Sequence, residues 1–264
     1  MIKVRLHSVG ILAPGLAGWR ETASLLRKET AYTASGLSPL KPTTLKPNER
    51  RRTTNTIKLA LEVADEALKQ WPNPQQLISV FSSSEGDLEI VDQICTALSQ
   101  QGRPVSPTQF HNSVHNAPAG YWSIGADSRQ ASTSLGGLNG CFAAGLMEAS
   151  VQTAIEGKPA LMVCYDLPPP KPLADFIHVR TPIAVALLLS ADNTQGNALA
   201  DIALRPGAGA EENRMTDDTL EALRLAAPAG RSLPLLQAVA NRTTAKLSLP
   251  YLPDLGLQLE VSPC

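Results

Sequence analysis

The chain has 264 residues, of which 43% are hydrophobic and 18% charged, enough apolar material for one large domain or two small ones. Its formal net charge of −1 excludes a bulk electrostatic attraction to nucleic acid or to an anionic membrane surface. No apolar run is long enough to span a bilayer, and the opening Met1-Ile-Lys-Val-Arg-Leu6 lacks the basic, apolar and small-residue order of a signal peptide, so a cytoplasmic protein is expected.

Residues 2–11 alternate as a first strand, and Ala13-Pro-Gly15 turns the chain into a short helix from Trp19 to Leu26. A proline-rich loop, about 35–50, leads through Arg50-Arg-Arg52 into a long helix. Its apolar positions Ile57, Ala60, Leu61, Ala64, Ala67 and Leu68 follow the helical period, and Trp71-Pro-Asn-Pro74 ends it. Leu77-Ile-Ser-Val-Phe81 reads as a buried strand and Ser82-Ser-Ser-Glu-Gly-Asp87 as a polar turn. Ile90, Ile94, Cys95 and Leu98 place one apolar stripe on a second helix. Residues 108–125 read as a short helix with irregular flanks, 130–135 as a strand and 140–155 as a helix with Phe142, Leu146, Ala149 and Ile155 facing the core. Strands follow at Ala160-Leu-Met-Val-Cys-Tyr165 and Ile183-Ala-Val-Ala-Leu-Leu-Leu189, separated by the stiff Pro168-Pro-Pro-Lys-Pro172. Strands alternating with helices up to about residue 190 are the pattern of an α/β fold.

The remainder reads differently. Residues 207–213 are loop-like, and 217–227 form one short helix with Leu220 and Leu223 inward and Thr216 as its cap. Leu255-Gly-Leu-Gln-Leu-Glu-Val261 alternates strictly, with one wet face, and Lys246-Leu-Ser-Leu249 is placed to pair with it as a hairpin. The expected division is 1–195 as one domain and 196–264 as a short extension packed on it.

Cys95, Cys141, Cys164 and Cys264 are widely spaced with no CxxC pair, so neither a disulfide framework nor a zinc site is indicated. His111 and His115 have the four-residue spacing of a helical metal pair, but Pro107, Asn112 and Pro118 favour a loop or short turn there. No metal and no cofactor is expected.

Five segments carry a resemblance. They are Val9-Gly-Ile-Leu-Ala-Pro14, Asn48-Glu-Arg-Arg-Arg52, Ser82-Ser-Ser-Glu-Gly-Asp87, the long stretch from Ser106 through Phe110-His-Asn-Ser-Val-His-Asn116 to Trp122, and the strand, turn and helix over 132–149. Over roughly residues 2–190 the chain resembles the amino-terminal half of β-ketoacyl synthases. It is most similar to the short chain-length-factor-like subunits of aryl-polyene type II polyketide systems. The resemblance implies a thiolase-like layered α/β/α fold at half length, here with a short carboxy-terminal extension containing a β-hairpin.

In that family a cysteine at a strand-to-helix turn attacks an acyl thioester, because a helix amino-terminus lowers a thiol's pKa and stabilises an oxyanion. Aligned on the strand, Ser132-Thr-Ser134 precedes Leu135 where the cysteine should stand; aligned on the helix, the position falls near Asn139. Cys141 lies two residues further on, as either a packed small residue or a displaced thiol. The family's two catalytic histidines come from the carboxy-terminal half, and no histidine follows His178 here. His111 and His115 are then either hydrogen-bonded or interface residues or, with Cys141, parts of an acyltransferase or decarboxylase.

The resemblance therefore implies a noncatalytic subunit that pairs with a catalytic ketosynthase as a heterodimer or higher heteromer, acting on chains carried by an acyl carrier protein. Phe110, His111, Asn112, His115, Asn116, Tyr121 and Trp122 are the candidates for a partner interface or the acyl tunnel, with core packing as the alternative for the aromatics. Arg50, Arg51 and Arg52 are the candidates for carrier-protein contact, with a solvated face as the alternative. A self-associating carrier-binding scaffold is the other reading. A shortened α/β core leaves surface that needs cover, which the last hairpin and helix are expected to supply in part.

Overall fold

The computed structural model describes residues 1–191, 197–208 and 211–264. In chain order the strands and helices are β1 (Ile2–Ala13), β2 (Leu16–Ala17), α1 (Trp19–Leu26), α2 (Pro47–Arg50), α3 (Asn55–Leu68) and β3 (Ile78–Ser82). Next come α4 (Leu88–Ser99), α5 (Pro107–Asn112), α6 (Ala117–Gly125), β4 (Ser132–Leu135), α7 (Cys141–Glu156), β5 (Ala160–Asp166) and β6 (Ile183–Ser190). The last are β7 (Ala200–Ala208), α8 (Asp218–Ala226), α9 (Leu233–Asn241), β8 (Ala245–Leu252) and β9 (Leu255–Pro263).

Strands β5 and β6 are buried at every residue, so each must be covered on both faces. Their side chains divide by the two-residue period. Ala160, Met162, Cys164, Ile183, Val185, Leu187 and Leu189 join one core, and Leu161, Val163, Tyr165, Ala184, Ala186 and Leu188 join the other. Helix α3 covers the second face with Ile57, Leu59, Ala60, Leu61, Val63, Ala64 and Ala67. Each large aliphatic side chain hidden there contributes about 1.5–3 kcal/mol. Gly10 lets α3 lie against β1, since a Cβ there would stand 2.2 Å from the Val63 carbonyl oxygen. Helix α7 covers the first face with Phe142, Leu146 and Ala149.

The strands form one mixed sheet in the order β4-β3-β5-β6-β1-β7-β9-β8, with β2 pairing β1. Strand β3 is parallel to β4 and β5, and every other pairing is antiparallel. The layered α/β arrangement and the terminal hairpin are as the sequence predicts, with Leu247 opposite Leu259 and Leu249 opposite Leu257. The inward residues of β7, β9, α8 and α9, including Ile202, Leu220, Leu236 and Leu259, join the core beneath α7. On the other face Asp201, Arg205 and Glu260 meet water. The expected domain boundary at 195 lies outside the described residues, as does part of the expected loop 207–213.

Four expectations change. On α4 Ile90 is buried and Ile94 half-buried, but Cys95 and Leu98 are exposed, so the apolar stripe is covered only in part among the described residues. Ile155 is 78% exposed, because it lies on the side of α7 opposite the buried Leu146, Ala149 and Thr153. Asp217, and not Thr216, caps α8 by accepting from the Thr219 and Leu220 amides. Strand β7 and helix α9 are elements that the sequence pattern did not indicate.

An ionic cluster around the buried Arg224 holds the carboxy-terminal part. Arg224, 2% exposed, donates Nε and Nη2 to the two carboxylate oxygens of Glu221 at 2.7 Å each, and Nη1 to Glu212 at 2.6 Å. Arg231 donates to the same Glu212 oxygen at 2.8 Å, and Glu221 also accepts the Met215 amide. Removing Arg224 takes away three charge-assisted hydrogen bonds and leaves two partly exposed carboxylates that water can reach. Arg224→Ala is expected to lower unfolding free energy by about 2–3 kcal/mol in urea titration. A loss below about 1 kcal/mol would mean that the cluster behaves as an exposed pair.

Candidate functional site

The turn between β4 and α7 is built from Gly136, Gly137, Leu138, Asn139 and Gly140, the last three forming a single tight 3-10 turn. Leu138 has φ 48, in the left-handed region that a residue with a Cβ rarely enters. The chain therefore bends at Leu138 as it leaves the strand, and α7 starts three residues later. Gly140 presses against the β8–β9 hairpin, where a Cβ would strike the Tyr251 carbonyl oxygen at 2.2 Å. Leu138 is 68% exposed and, with Ser84, Glu85, Asn139, Phe176 and His178, lines a cleft of about 170 Å³.

Cys141 does not reach this cleft. It is fully buried in the core beneath α7, and burial, reinforced by the nearby Asp166 carboxylate, pushes its thiol up to about 12. The thiol is therefore held neutral at pH 7, and it is the thiolate that attacks. The displaced-thiol reading therefore has no support in the geometry, and the packed-residue reading has it. Neither histidine is bonded to Cys141. His115 directs Nε2 to the Ser83 carbonyl oxygen at 3.2 Å, and the exposed His111 packs edge-on against Tyr121 with ring centroids 6.1 Å apart.

Behind the cleft lies a buried polar group with no sequence-level signal beyond ending an apolar run. Asp166, 2% exposed, accepts from Ser83 Oγ at 3.1 Å and from the Ser84 amide at 2.9 Å, and its Oδ2 has no partner. Burial raises its pKa to about 7, outweighing those two hydrogen bonds. Ser83 Oγ in turn accepts from the Gly86 amide. The carboxyl thus latches the 83–86 loop, to which His115 is also attached.

The segment read as a partner interface divides in two. Trp122 is 1% exposed and packs on Phe81, with centroids 6.3 Å apart. Asn112 is 2% exposed, donating to the Arg52 carbonyl at 2.7 Å and accepting from the Tyr121 hydroxyl at 3.0 Å. These two lie in the interior of the chain, and Trp122 packs in its core. Phe110 (67% exposed), His111 and Asn116 face solvent, while Tyr121 and His115 are half-buried. Val91 and Leu98 on α4, Val114 between α5 and α6, Ile124 on α6 and Leu138 in the bend are exposed as well. Strand β4 ends the sheet, and its outer side pairs with no strand among the described residues. The opposite edge is closed: Asn213 bonds β8 at Ser248 through both its side chain and its amide.

Of the three arginines, Arg50 is half-buried and donates to the Pro42 carbonyl at 3.1 Å. Arg51 and Arg52 are exposed; Arg51 bonds Asn48, and Arg52 lines a groove of about 260 Å³ with Asp87, Glu89 and Gln109. No helix among the described residues is long and apolar enough to cross a membrane.

A layered mixed sheet with a strand-to-helix bend at its parallel end is the arrangement that the resemblance to thiolase-like ketosynthases implies. The chain belongs to the β-ketoacyl synthase family: the family model for the β-ketoacyl synthase N-terminal domain matches residues 19–248. No curated protein matches the sequence significantly. Solved structures that share the fold include the following three. The ketosynthase ApeO in complex with its chain length factor ApeC from Xenorhabdus doucetiae matches with TM-score 0.74 and 24% identity, over 99% of this chain and 100% of that one. The type II polyketide acyl carrier protein complex AntDE:AntF, with its ketosynthase bound to the hexaketide, matches with TM-score 0.80 and 12% identity, over 100% and 99%. The ishigamide ketosynthase/chain length factor matches with TM-score 0.74 and 13% identity, over 99% of each chain.

Two outcomes follow. Cys141 is expected to resist iodoacetamide at pH 7 in the folded protein and to react once urea unfolds it, read by peptide mass spectrometry; rapid native labelling would make it an activated thiol. Asp166 holds a proton in the folded state, between the ordinary aspartate range and about pH 7, that the unfolded chain has lost. Stability is therefore expected to fall as pH rises across that window. Asp166→Asn removes that slope, so relative to wild type it gains on the order of a few kcal/mol in urea titration from pH 5 to pH 8. An unchanged difference at the two pH values would show that the carboxyl is ionised throughout.

Proposed function

We propose that this chain is a noncatalytic, chain-length-factor-type subunit that pairs with a catalytic β-ketoacyl synthase and supports elongation of an aryl-polyene-like chain on an acyl carrier protein. The observation that carries the reading is the bend itself: the strand-to-helix turn is formed, yet it presents Leu138, while Cys141 is buried as a neutral thiol. A leucine has no lone pair to attack a thioester.

The partner side of the reading is supported by the free side of β4 and by the exposed apolar side chains Phe110, Val114 and Ile124 on the elements just before it in the chain. An open strand edge with apolar side chains exposed is a template for a second chain. Phe110, His111, Asn116 and Tyr121 are the residues assigned to that interface or to the acyl tunnel. ApeO with ApeC, and the ishigamide pair, are complexes of a ketosynthase with a chain length factor, which is the assembly proposed here. Arg51 and Arg52 are assigned to the carrier protein, whose acidic surface they would meet. The AntDE:AntF structure holds such a carrier with its ketosynthase.

Co-expression with the ketosynthase encoded nearest to it, followed by light scattering, tests the assignment. A stoichiometric heteromer is expected, with this chain less soluble alone. Two independent species, or a homodimer indifferent to the ketosynthase, would replace the reading with a self-associating scaffold.

A further inference from the structure

Helix α1 ends on an uncommon residue. After Arg27 the chain turns left-handed at Lys28, with φ 62, and the Lys28 and Glu29 amides donate back to the Leu25 and Ser24 carbonyls at 2.8 and 2.9 Å. Helices ordinarily place glycine there, because a Cβ is crowded in that conformation. The helix dipole favours a cation at this end. Arg27 already supplies one, and its Nε and Nη2 are bound to the two Glu29 carboxylate oxygens at 2.7 and 3.0 Å. Lys28 has no ion pair and no side-chain hydrogen bond among the described residues. It lines a groove of about 540 Å³ between the end of α1 and the start of α8, within the roughly 300–1,000 Å³ range of ligand pockets. The floor is apolar: Leu25, Leu26 and Leu220 are each at most 8% exposed. Tyr32 forms one wall, and its hydroxyl, donating to the Pro14 carbonyl at 2.8 Å, holds the ring against the core. Gln237, half-buried on α9, is a neutral donor at the rim.

The geometry points to a binding site in this groove for a small monocarboxylate with a flat apolar body, its anionic group on Lys28 and its body over the leucines against the Tyr32 ring. The two acids on the rim are engaged, Glu29 with Arg27 and Asp217 with the Thr219 and Leu220 amides, which leaves Lys28 as the cation open to a ligand. One cation flanked by two carboxylates suits a single negative charge, whereas a phosphate dianion meets repulsion from Glu29 and Asp217. A flat body packs on an aromatic wall in offset or edge-on geometry. The fold keeps a strained backbone at Lys28 that glycine would relieve, and such strain marks a side chain held in place for a task. The groove is built from α1, the segment after it, α8 and α9, elements to which the pairing with a ketosynthase assigns nothing, so the two proposals stand or fall separately.

The test is equilibrium dialysis of 2-naphthoate against the full chain at pH 7 and low salt. Binding is expected with Kd below about 1 mM, and at least about fivefold more weakly for the uncharged 2-naphthamide. Lys28→Gly separates a binding role from a structural one. Glycine relieves the left-handed φ, so this variant is expected to melt no lower than the wild type while losing affinity for 2-naphthoate by at least about fivefold. Lys28→Gln keeps the length of the side chain and removes its charge, and is expected to lose the same affinity should the glycine variant fold poorly. No binding to the wild type at 2-naphthoate concentrations up to about 5 mM, equal binding of acid and amide, or unchanged affinity in the Lys28 variants would each overturn the inference.

Discussion

The structure depends on burying β5 and β6 on both faces. Fifteen consecutive-face side chains with no route to water require a helix layer on each side. Helix α3 meets the requirement on one side through a close approach at Gly10, and α7 meets it on the other. Once α7 lies across β3 and β5, its amino-terminus must fall at the end of the parallel strands. The connection from β4 then has only five residues in which to reverse direction. The bend at Leu138 follows from core packing, not from the residues of the turn alone.

The same constraint explains the carboxy-terminal part. Helices α8 and α9 and strands β7 and β9 close the core beneath α7, while the outer face of these strands stays polar. Arg5 faces Asp201 across β1 and β7 at 2.9 Å, and Lys246 faces Glu260 across β8 and β9 at 3.9 Å. Such exposed pairs add little stability, but they make the face suited to water. The segment between β7 and α8 has few apolar residues to bury, and the Arg224 cluster performs the fixing that packing performs elsewhere. One face of the sheet extension and one edge are therefore finished surfaces. The α4 to α6 surface and the β4 edge are not.

Much of this was legible in the sequence. The two-residue alternation of Leu255 to Val261 fixed both the strand and its wet face, and the 3.6-residue period from Ile57 to Leu68 fixed α3. The apolar run at 183–189 was readable as a doubly buried strand because nothing polar interrupts it. The misses have physical causes. In β7 the alternation of Ala200, Ile202 and Leu204 is carried partly by alanine and then broken by Pro206 and Gly207. In α9 the sequence Leu-Pro-Leu-Leu-Gln-Ala-Val-Ala is apolar on nearly all sides, so it has no stripe, and its proline sits at the start of the helix, where proline is tolerated. The α4 stripe was read correctly as a pattern, but a pattern does not say whether its cover lies in the same chain. Leu138 carried no signal, because a left-handed φ is sought at glycine or asparagine and the turn offers both on either side of it.

The position of that strain bears on how a catalytic scaffold can lose its chemistry. Were the bend held by hydrogen bonds or packing of the residue at its tip, replacing that residue would relax the turn. Here the restraint comes from Gly137 against α7, from Gly140 against Tyr251, and from α7 against β3 and β5, none of which involves the Leu138 side chain. A bend over-determined by its surroundings tolerates any side chain able to bear the conformational cost. Chemistry and geometry are then separable at this point in the fold: the first resides in one exposed side chain, the second in contacts that also hold the core together. On the proposed noncatalytic reading, a partner needs the contacts and makes no demand on the side chain, which is how a formed turn can carry a leucine at its tip.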